Sequence, residues 1–197
     1  MKMLKVAAGL FLFVCLLWPA GRVFGQESLA FYRSEPARDN EVAAALVRKL
    51  PKGPRAPVSI AILEKIADKP SPQLFAETTL HYYLDSCGFP VKDGESALLR
   101  EYAGFYFADR PRDFPLTMTA KYYIIGTASA EPGNSQVGLA GGKSQLEVRV
   151  LDREGFVIFG KKVSVETTAL SADAAEVRAL KTAASEIAVQ VLPLLKY

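Results

Sequence analysis

The segment from Gln145 to Thr167 restricts the fold more than any other part of the chain, because its pattern predicts two paired strands. Apolar and polar side chains alternate along both arms, as in half-buried β-strands. The apolar set on one face comprises Leu146, Val148 and Val150, then Val157, Phe159, Val163 and Val165. Between the arms, Asp152 can accept bonds from the following backbone and Gly155 can adopt a positive φ, as a type I turn with a G1 bulge requires. The segment therefore predicts a β-hairpin with one apolar face and no reactive side chain.

The first 25 residues have the pattern of a targeting segment. Lys2 and Lys5 precede an apolar run over residues 6–20, and Val23 and Gly25 suit the positions before a cleavage site. The run is about 15 residues long, whereas a membrane-spanning helix needs about 20. We therefore expect a cleavable signal peptide over residues 1–25, with an uncleaved membrane anchor as the alternative, and a mature chain without a transmembrane helix.

Removal of this segment changes the charge of the protein. It carries three basic residues and no acidic one, so the Lys and Arg count falls from 24 to 21 and equals the 21 Asp and Glu. A neutral chain gives no reason to expect binding to nucleic acid or to anionic lipid. Cys15 lies inside the apolar run behind the bulky Phe13 and Val14, which does not suit lipoprotein acylation. Cys87 is then the only cysteine, so no intramolecular disulfide can form.

Residues 26–56 are predicted to form an N-terminal extension, and residues 57–197 a single domain. In the extension, Asn40 is predicted to cap a short helix over 41–49, which a proline-rich linker follows. The domain begins with Val58–Leu63, which is apolar on both faces and is therefore predicted to be a central strand. Further strands are predicted over 89–92 and 121–130 besides the hairpin, further helices over 71–87, 95–102 and 171–195, and loops over 64–70 and 131–144.

Helix faces support this assignment. Ala76, Leu80, Tyr83, Leu84 and Cys87 share one face, and Gly88 supplies a stop. In the last helix, the residues that step by three and four are Val177, Leu180, Ala184, Ile187, Val191 and Leu194. The order of elements predicts an α/β protein of the α+β type, with a mixed β-sheet of about five strands and helices packed on its faces.

Five motifs in this order resemble one family of envelope proteins. They are Ile60-Ala61-Ile62-Leu63, the helix end Leu84-x-x-x-Gly88-Phe89-x-Val91, Val91-Lys92-Asp93 followed by Leu98-Leu99-Arg100-Glu101, the strand Tyr122–Gly126, and the turn Leu151–Gly155. The family includes the curli secretion channel protein, the amino-terminal domain of TolB and the lipoprotein activators of peptidoglycan synthases. The chain departs from it in two ways, since it lacks an acylation site and has an additional passage over residues 104–119.

The resemblance implies a non-enzymatic protein of the Gram-negative periplasm or cell envelope, associated with the outer membrane. It implies a role as an assembly factor that binds an envelope protein or complex, with no catalytic residue, metal or cofactor. It also allows a symmetric homo-oligomer. The alternative is a small exported enzyme with an unrecognised hydrolytic site.

Reactive residue types give little support to that alternative. Residues 138–144 end in Gly142-Lys143-Ser144 like a phosphate-binding loop, but Val137 stands where the first glycine is needed and a strand follows, so we expect a mobile hairpin loop. His81 is the only histidine, and we expect a solvated pair with Asp85. Cys87 lies at a helix C-terminus, whose dipole disfavours the thiolate, so we expect a buried thiol.

An aromatic passage is the best candidate for a contact surface. Aromatic and arginine side chains are enriched where proteins meet. The alternative is that the rings only cover the core. The candidate residues are Tyr102, Phe105, Tyr106, Phe107, Arg110, Arg112 and Phe114.

Overall fold

Five strands form one mixed sheet with the order β2-β1-β3-β4-β5 in the computed structural model, which describes residues 38–110 and 112–195. The strands are β1 (Val58–Ile66), β2 (Lys69–Pro70), β3 (Tyr122–Gln136), β4 (Leu139–Leu151) and β5 (Val157–Ala169). β1 and β3 are parallel, and the other neighbours are antiparallel. The predicted α+β class with a mixed sheet is confirmed. The expected signal peptide lies outside the described residues.

Helices pack on both faces of this sheet. They are α1 (residues 38–49), α2 (Phe75–Ser86), α3 (Ser96–Phe107) and α4 (Ala172–Val191), with short 3-10 turns at Asp93–Glu95 and Leu192–Leu194. One core contains buried side chains of α1, α2 and α4 together with Ile60 and Ile124 from the sheet. The other lies under α3 and contains Ala61 and Tyr123. Adjacent residues of β1 and β3 thus enter different cores, because side chains alternate across a strand. Within the described residues, no helix is both long and apolar enough to cross a membrane.

The hairpin from Gln145 to Thr167 is confirmed. Residues of β4 and β5 pair in antiparallel register, and Gly155 has φ +87°. The Asp152 carboxylate accepts bonds from the backbone N–H groups of Glu154 and Phe156. The prediction for Val157 is wrong, since this residue is 47% exposed. A register shift between Val150 and Leu151 places Val157 opposite Leu151, on the face away from Val150.

The predicted glycine-rich loop over 131–144 is instead a second hairpin. β3 and β4 continue through it to a turn at residues 137–138, where Gly138 has φ +75°. Gly142 is needed for packing, because a Cβ there would lie 2.3 Å from the carbonyl carbon of Ala175. The first turn of α4 therefore rests directly on the backbone of β4.

Four boundaries in the first half of the chain were predicted wrongly. The loop over 64–70 is a tight hairpin between β1 and β2, because Ala67 and Asp68 adopt positive φ values of 48° and 62° without a glycine. The strand over 89–92 is reduced to one bridge between Val91 and Val58. Asn40 lies inside α1 and does not cap it. The helix after Ser71 begins only at Phe75, with Leu74 as its N-cap residue.

Other helix predictions hold in their main features. The five residues predicted on the inner face of α2 are buried, and Gly88 ends this helix with φ +77°. Ser171 caps α4 by accepting a bond from the N–H of Ala174, and Leu180, Ala184, Ile187 and Val191 are buried. The prediction that Leu194 shares this buried face is wrong, since its side chain is exposed.

Candidate binding surface

The aromatic–arginine surface, defined as the seven candidate residues between Tyr102 and Phe114, forms at the C-terminal end of α3. This helix runs to Phe107, five residues beyond its predicted end, so the passage over 104–119 is not wholly irregular. The i,i+4 spacing places Tyr102 and Tyr106 on one side of α3, with ring centroids 6.1 Å apart. The sequence identified the residues but missed the helix that carries them.

Tyr102 and Phe114 join the surface to the core. Tyr102 is only 7% exposed, and its ring meets that of Phe114 edge-on at 5.2 Å. Phe114 in turn meets Tyr123 of β3 at 5.0 Å. Offset and edge-on ring pairs of this kind are favourable beyond the area they bury. Tyr102 therefore serves packing. The other four rings are half-buried and reach solvent, and among them Tyr106, Phe107 and Phe114 also pack against the core under α3.

The chain leaves α3 through a Schellman motif. The N–H of Asp109 donates to the carbonyl of Tyr106, and the N–H of Arg110 donates to that of Phe105. The residue at the turning point is normally glycine because it must adopt a left-handed conformation, yet here it is Asp109 with φ +53°. α2 ends in the same pattern of bonds with Gly88 at the turning point. An aspartate in this conformation is locally strained, and such strain is concentrated at functional sites.

A cleft of about 490 Å³ opens beside this turn. Its lining residues are Tyr102, Tyr106, Asp109, Arg110 and Arg112. The Arg112 guanidinium lies 4.5 Å from the centre of the Phe105 ring and pairs with Glu101 at 2.8 Å. It is therefore held in place, whereas Arg110 is exposed at the rim. The cleft combines aromatic faces with fixed and exposed cationic groups, which suits a partner that presents acidic or carbonyl groups.

The turn of the β4–β5 hairpin packs against the same surface. A Cβ on Gly155 would lie 2.5 Å from Cγ of Phe114, so only a glycine allows this approach. The next residue, Phe156, is 71% exposed. The hairpin turn thus packs against Phe114 and places the exposed ring of Phe156 next to the residue that makes this contact.

The reactive residues singled out from the sequence lie elsewhere. Nε2 of His81 lies 3.4 Å from a carboxylate oxygen of Asp93, and not beside Asp85 as predicted. Cys87 is buried as expected, and burial raises the pKa of its thiol although the Arg55 charge opposes this. Residues 139–144 belong to β4 and do not form the predicted mobile loop. None of these side chains lines the cleft.

A group of charged residues that sequence reasoning missed occupies part of the side of β1 that faces away from β3, next to its pairing with β2. The Glu77 carboxylate accepts from the Ile62 N–H at 2.7 Å and from Arg100 at 2.8 Å, while Arg100 also donates to the Ile62 carbonyl. Glu64 accepts from the N–H of Glu77 and so caps the start of α2. Burial and the Glu77 charge raise the pKa of Glu64, while bonds from backbone N–H groups of α2 lower it. No sequence pattern indicates these contacts, since they join residues 13 to 38 positions apart.

Comparisons with known proteins were made at the level of sequence and of structure. No protein-family model and no curated protein matches the sequence. Solved structures that match include a hypothetical protein of Chlamydia trachomatis, with 13% identity, TM-score 0.42 and coverage of 57% of this chain and 73% of that one. A PelC dodecamer from Paraburkholderia phytofirmans matches with 15% identity and TM-score 0.41, covering 74% and 92%. The C-terminal domain of LpoB from Salmonella enterica matches with 16% identity and TM-score 0.29, covering 64% and 93%.

Other matched structures are bacterial lipoproteins. LpoB belongs to the peptidoglycan synthase activators to which the sequence showed a resemblance, while the resemblance to the curli channel and TolB stays a prediction. At such low identities and TM-scores, these likenesses assign neither a family nor a function to this chain.

Proposed function

We propose that this chain is an exported, non-enzymatic accessory protein of the bacterial envelope, which binds a protein partner through the aromatic–arginine surface. The observation that carries the proposal is the cleft at the end of α3, where backbone hydrogen bonds fix the turn at Asp109 and Arg110 beside the ring of Tyr106. The envelope location rests on the targeting pattern of residues 1–25.

The arrangement suits contact better than turnover. Catalysis needs a nucleophile or a general base beside a cavity that holds the substrate. Asp109 is the one carboxylate among the described residues that line the cleft, and the lining includes no histidine, cysteine or second carboxylate to act with it. Aromatic and arginine side chains of this kind contribute most of the binding energy in many protein interfaces. The exported hydrolase is therefore the weaker candidate.

Site-specific crosslinking tests the proposal. A photoreactive amino acid at position 110 of the full-length chain, in the cells that produce it, is expected to give a discrete adduct with one envelope protein. The same amino acid at Arg48, which is exposed on α1, is the matched control and should not give that adduct. Equal adducts from both positions, or none from position 110, would contradict the proposal.

Substitutions then separate contact from packing. Arg110→Glu alters an exposed side chain, so we expect loss of the captured partner with a melting temperature unchanged within the error. Phe105→Ser together with Tyr106→Ser should also abolish capture. If these changes unfold the protein while Arg110→Glu leaves capture intact, the rings only cover the core and the proposal fails.

A further inference from the structure

β5 is the outer strand of the sheet, and β4 is its single strand neighbour among the described residues. It runs for 13 residues, from Val157 to Ala169. A long strand at the edge of a sheet presents a row of backbone N–H and C=O groups that can pair with another strand. On the opposite side of the sheet the outermost strand is β2, which has only two residues, and Glu77 and Arg100 occupy the backbone groups of Ile62 in the neighbouring β1.

The backbone groups that face outward can be identified from two contacts. The carbonyl of Thr168 accepts a bond from Arg178 at 2.6 Å, which places it on the side away from β4. A Cβ on Gly126 would lie 2.7 Å from the carbonyl oxygen of Glu147, which places that carbonyl toward β3. Because direction alternates along a strand and the register from Phe159 to Ala169 is continuous, both contacts place the even-numbered residues of β5 outward. Arg178 already occupies the carbonyl of Thr168, so the pairing centres on residues 160–166.

The charged and apolar side chains of β5 are arranged so that a second copy of the same strand would match them. Lys162 and Glu166 are exposed and lie two positions on either side of Ser164. Val163 and Val165 lie one position on either side, on the face that packs toward α4. A lysine-bearing edge ordinarily opposes pairing with a foreign strand. A second copy of the same strand, in antiparallel orientation, brings a glutamate to each lysine.

We propose that two copies of this chain pair through β5, in antiparallel register about a two-fold axis at Ser164. Lys162 then lies opposite Glu166 of the second copy, and Val163 lies opposite Val165 of the second copy. Each contact occurs twice by symmetry. A shift of the axis to Val163 or Val165 removes both charge pairs, and an axis at Lys162 places two lysines opposite one another. The charges therefore favour this register, in addition to the pairs of opposite charge that Lys162 makes with Glu147 and Glu166 with Lys143 across the β4–β5 hairpin of each copy.

Light scattering on the purified chain after size exclusion tests the proposal. We expect a dimer that weakens as salt is added, because the charge pairs are exposed. Lys162→Glu replaces both attractive pairs with repulsive ones and should weaken dimerisation about tenfold or more. The double variant Lys162→Glu/Glu166→Lys restores opposite charges across the axis and should restore the dimer.

Ser164→Pro supplies a variant that does not depend on charge. It removes an outward N–H and places a ring in the interface, which edge strands tolerate. We expect a monomer with an unchanged circular dichroism spectrum. A wild-type chain that stays monomeric at high concentration overturns the proposal. A double charge variant that dimerises no more strongly than Lys162→Glu also overturns it. A dimer that Ser164→Pro leaves intact places the interface elsewhere and also overturns it.

Discussion

At the scale of single residues, Asp109 is the most informative position in the candidate site. A left-handed conformation costs most non-glycine residues about 1–2 kcal/mol, and aspartate, which tolerates it better, lies at the lower end of this range. Glycine would lose roughly 0.5–1 kcal/mol of the gain through the entropy of the unfolded chain. Asp109→Gly is therefore expected to raise the free energy of unfolding by about 0.5 kcal/mol and to weaken partner capture. Urea unfolding and the crosslinking assay measure the two effects.

Asp109→Asn is the matched control, because asparagine also tolerates the left-handed conformation but lacks the charge. It should leave stability nearly unchanged and should not weaken capture, since the carboxylate repels a partner that presents acidic groups. Stability that falls in Asp109→Gly would show that the carboxylate holds the turn together, and the interpretation of this residue as strained would be wrong.

At the scale of elements, local patterns predict some of the fold well and the rest poorly. The buried face of α2 and the β4–β5 hairpin follow from periodicity and turn residues within each segment. The start of α2 cannot be predicted in this way, because the carboxylate that caps it comes from Glu64 on β1. The β1–β2 turn uses Ala67 in a left-handed conformation that its type disfavours. In the sequence, Gly142 is typical of a loop, but in the structure it lies in β4 and allows α4 to contact the strand backbone closely.

The candidate site shows the same division. The sequence identified its aromatic and arginine residues by their type. It could not predict which of them pack in the core and which are exposed. Tyr102 becomes part of the core only because α3 lies on Tyr123 of the sheet. The cleft beside Asp109 depends on the hydrogen bonds that end α3. Both features require the positions of distant segments, which single-sequence patterns do not contain.

The closed edge of β1 gives a prediction at this scale. Arg100 is 32% and Glu77 15% exposed, and both bond to the backbone of Ile62. Because truncation leaves partly buried polar groups without partners, Arg100→Ala should lower the free energy of unfolding by about 2 kcal/mol. It also frees the Ile62 carbonyl for pairing with other chains, so aggregation on heating should increase.

The surface pair between Glu101 and Arg112 provides the control. Its side chains are more exposed, so Glu101→Ala should cost only about 0.5 kcal/mol and leave aggregation unchanged. Chemical unfolding and light scattering during a thermal ramp measure the two quantities. Equal losses in both variants would mean that the Ile62 contacts do not protect the edge.

At the scale of the whole molecule, two buried glutamates connect stability to pH. Burial is the main cause that raises the pKa of Glu64. Burial also raises the pKa of Glu176, and the negative charge of Asp173 adds to this increase. Because the folded-state pKa lies above the unfolded value, the folded protein binds these protons more tightly. This contribution to stability is complete below the ordinary value of 4.5 and declines as pH rises through the folded-state pKa.

Glu64→Gln removes one of these titrations while keeping an oxygen that can accept the Glu77 N–H. We expect the free energy of unfolding of the variant to fall less between about pH 4 and pH 7 than that of the wild type. Urea unfolding at a series of pH values gives the comparison. A wild-type stability that rises steadily across this range, with Glu64→Gln parallel to it, would contradict the assignment.

The seal that Glu77 and Arg100 form over Ile62 also limits how large an assembly of this chain can become. Growth by strand addition is a polymerisation, and each unit needs two reactive ends to propagate. Here one end offers little backbone for pairing, because it consists of the two-residue strand β2, which includes Pro70, and of the Ile62 groups that Glu77 and Arg100 occupy. Pairing through β5 consumes the other, so the product has only blocked ends. We therefore expect association by this route to stop at two copies, because a short strand with a proline gives a third copy little backbone to pair with.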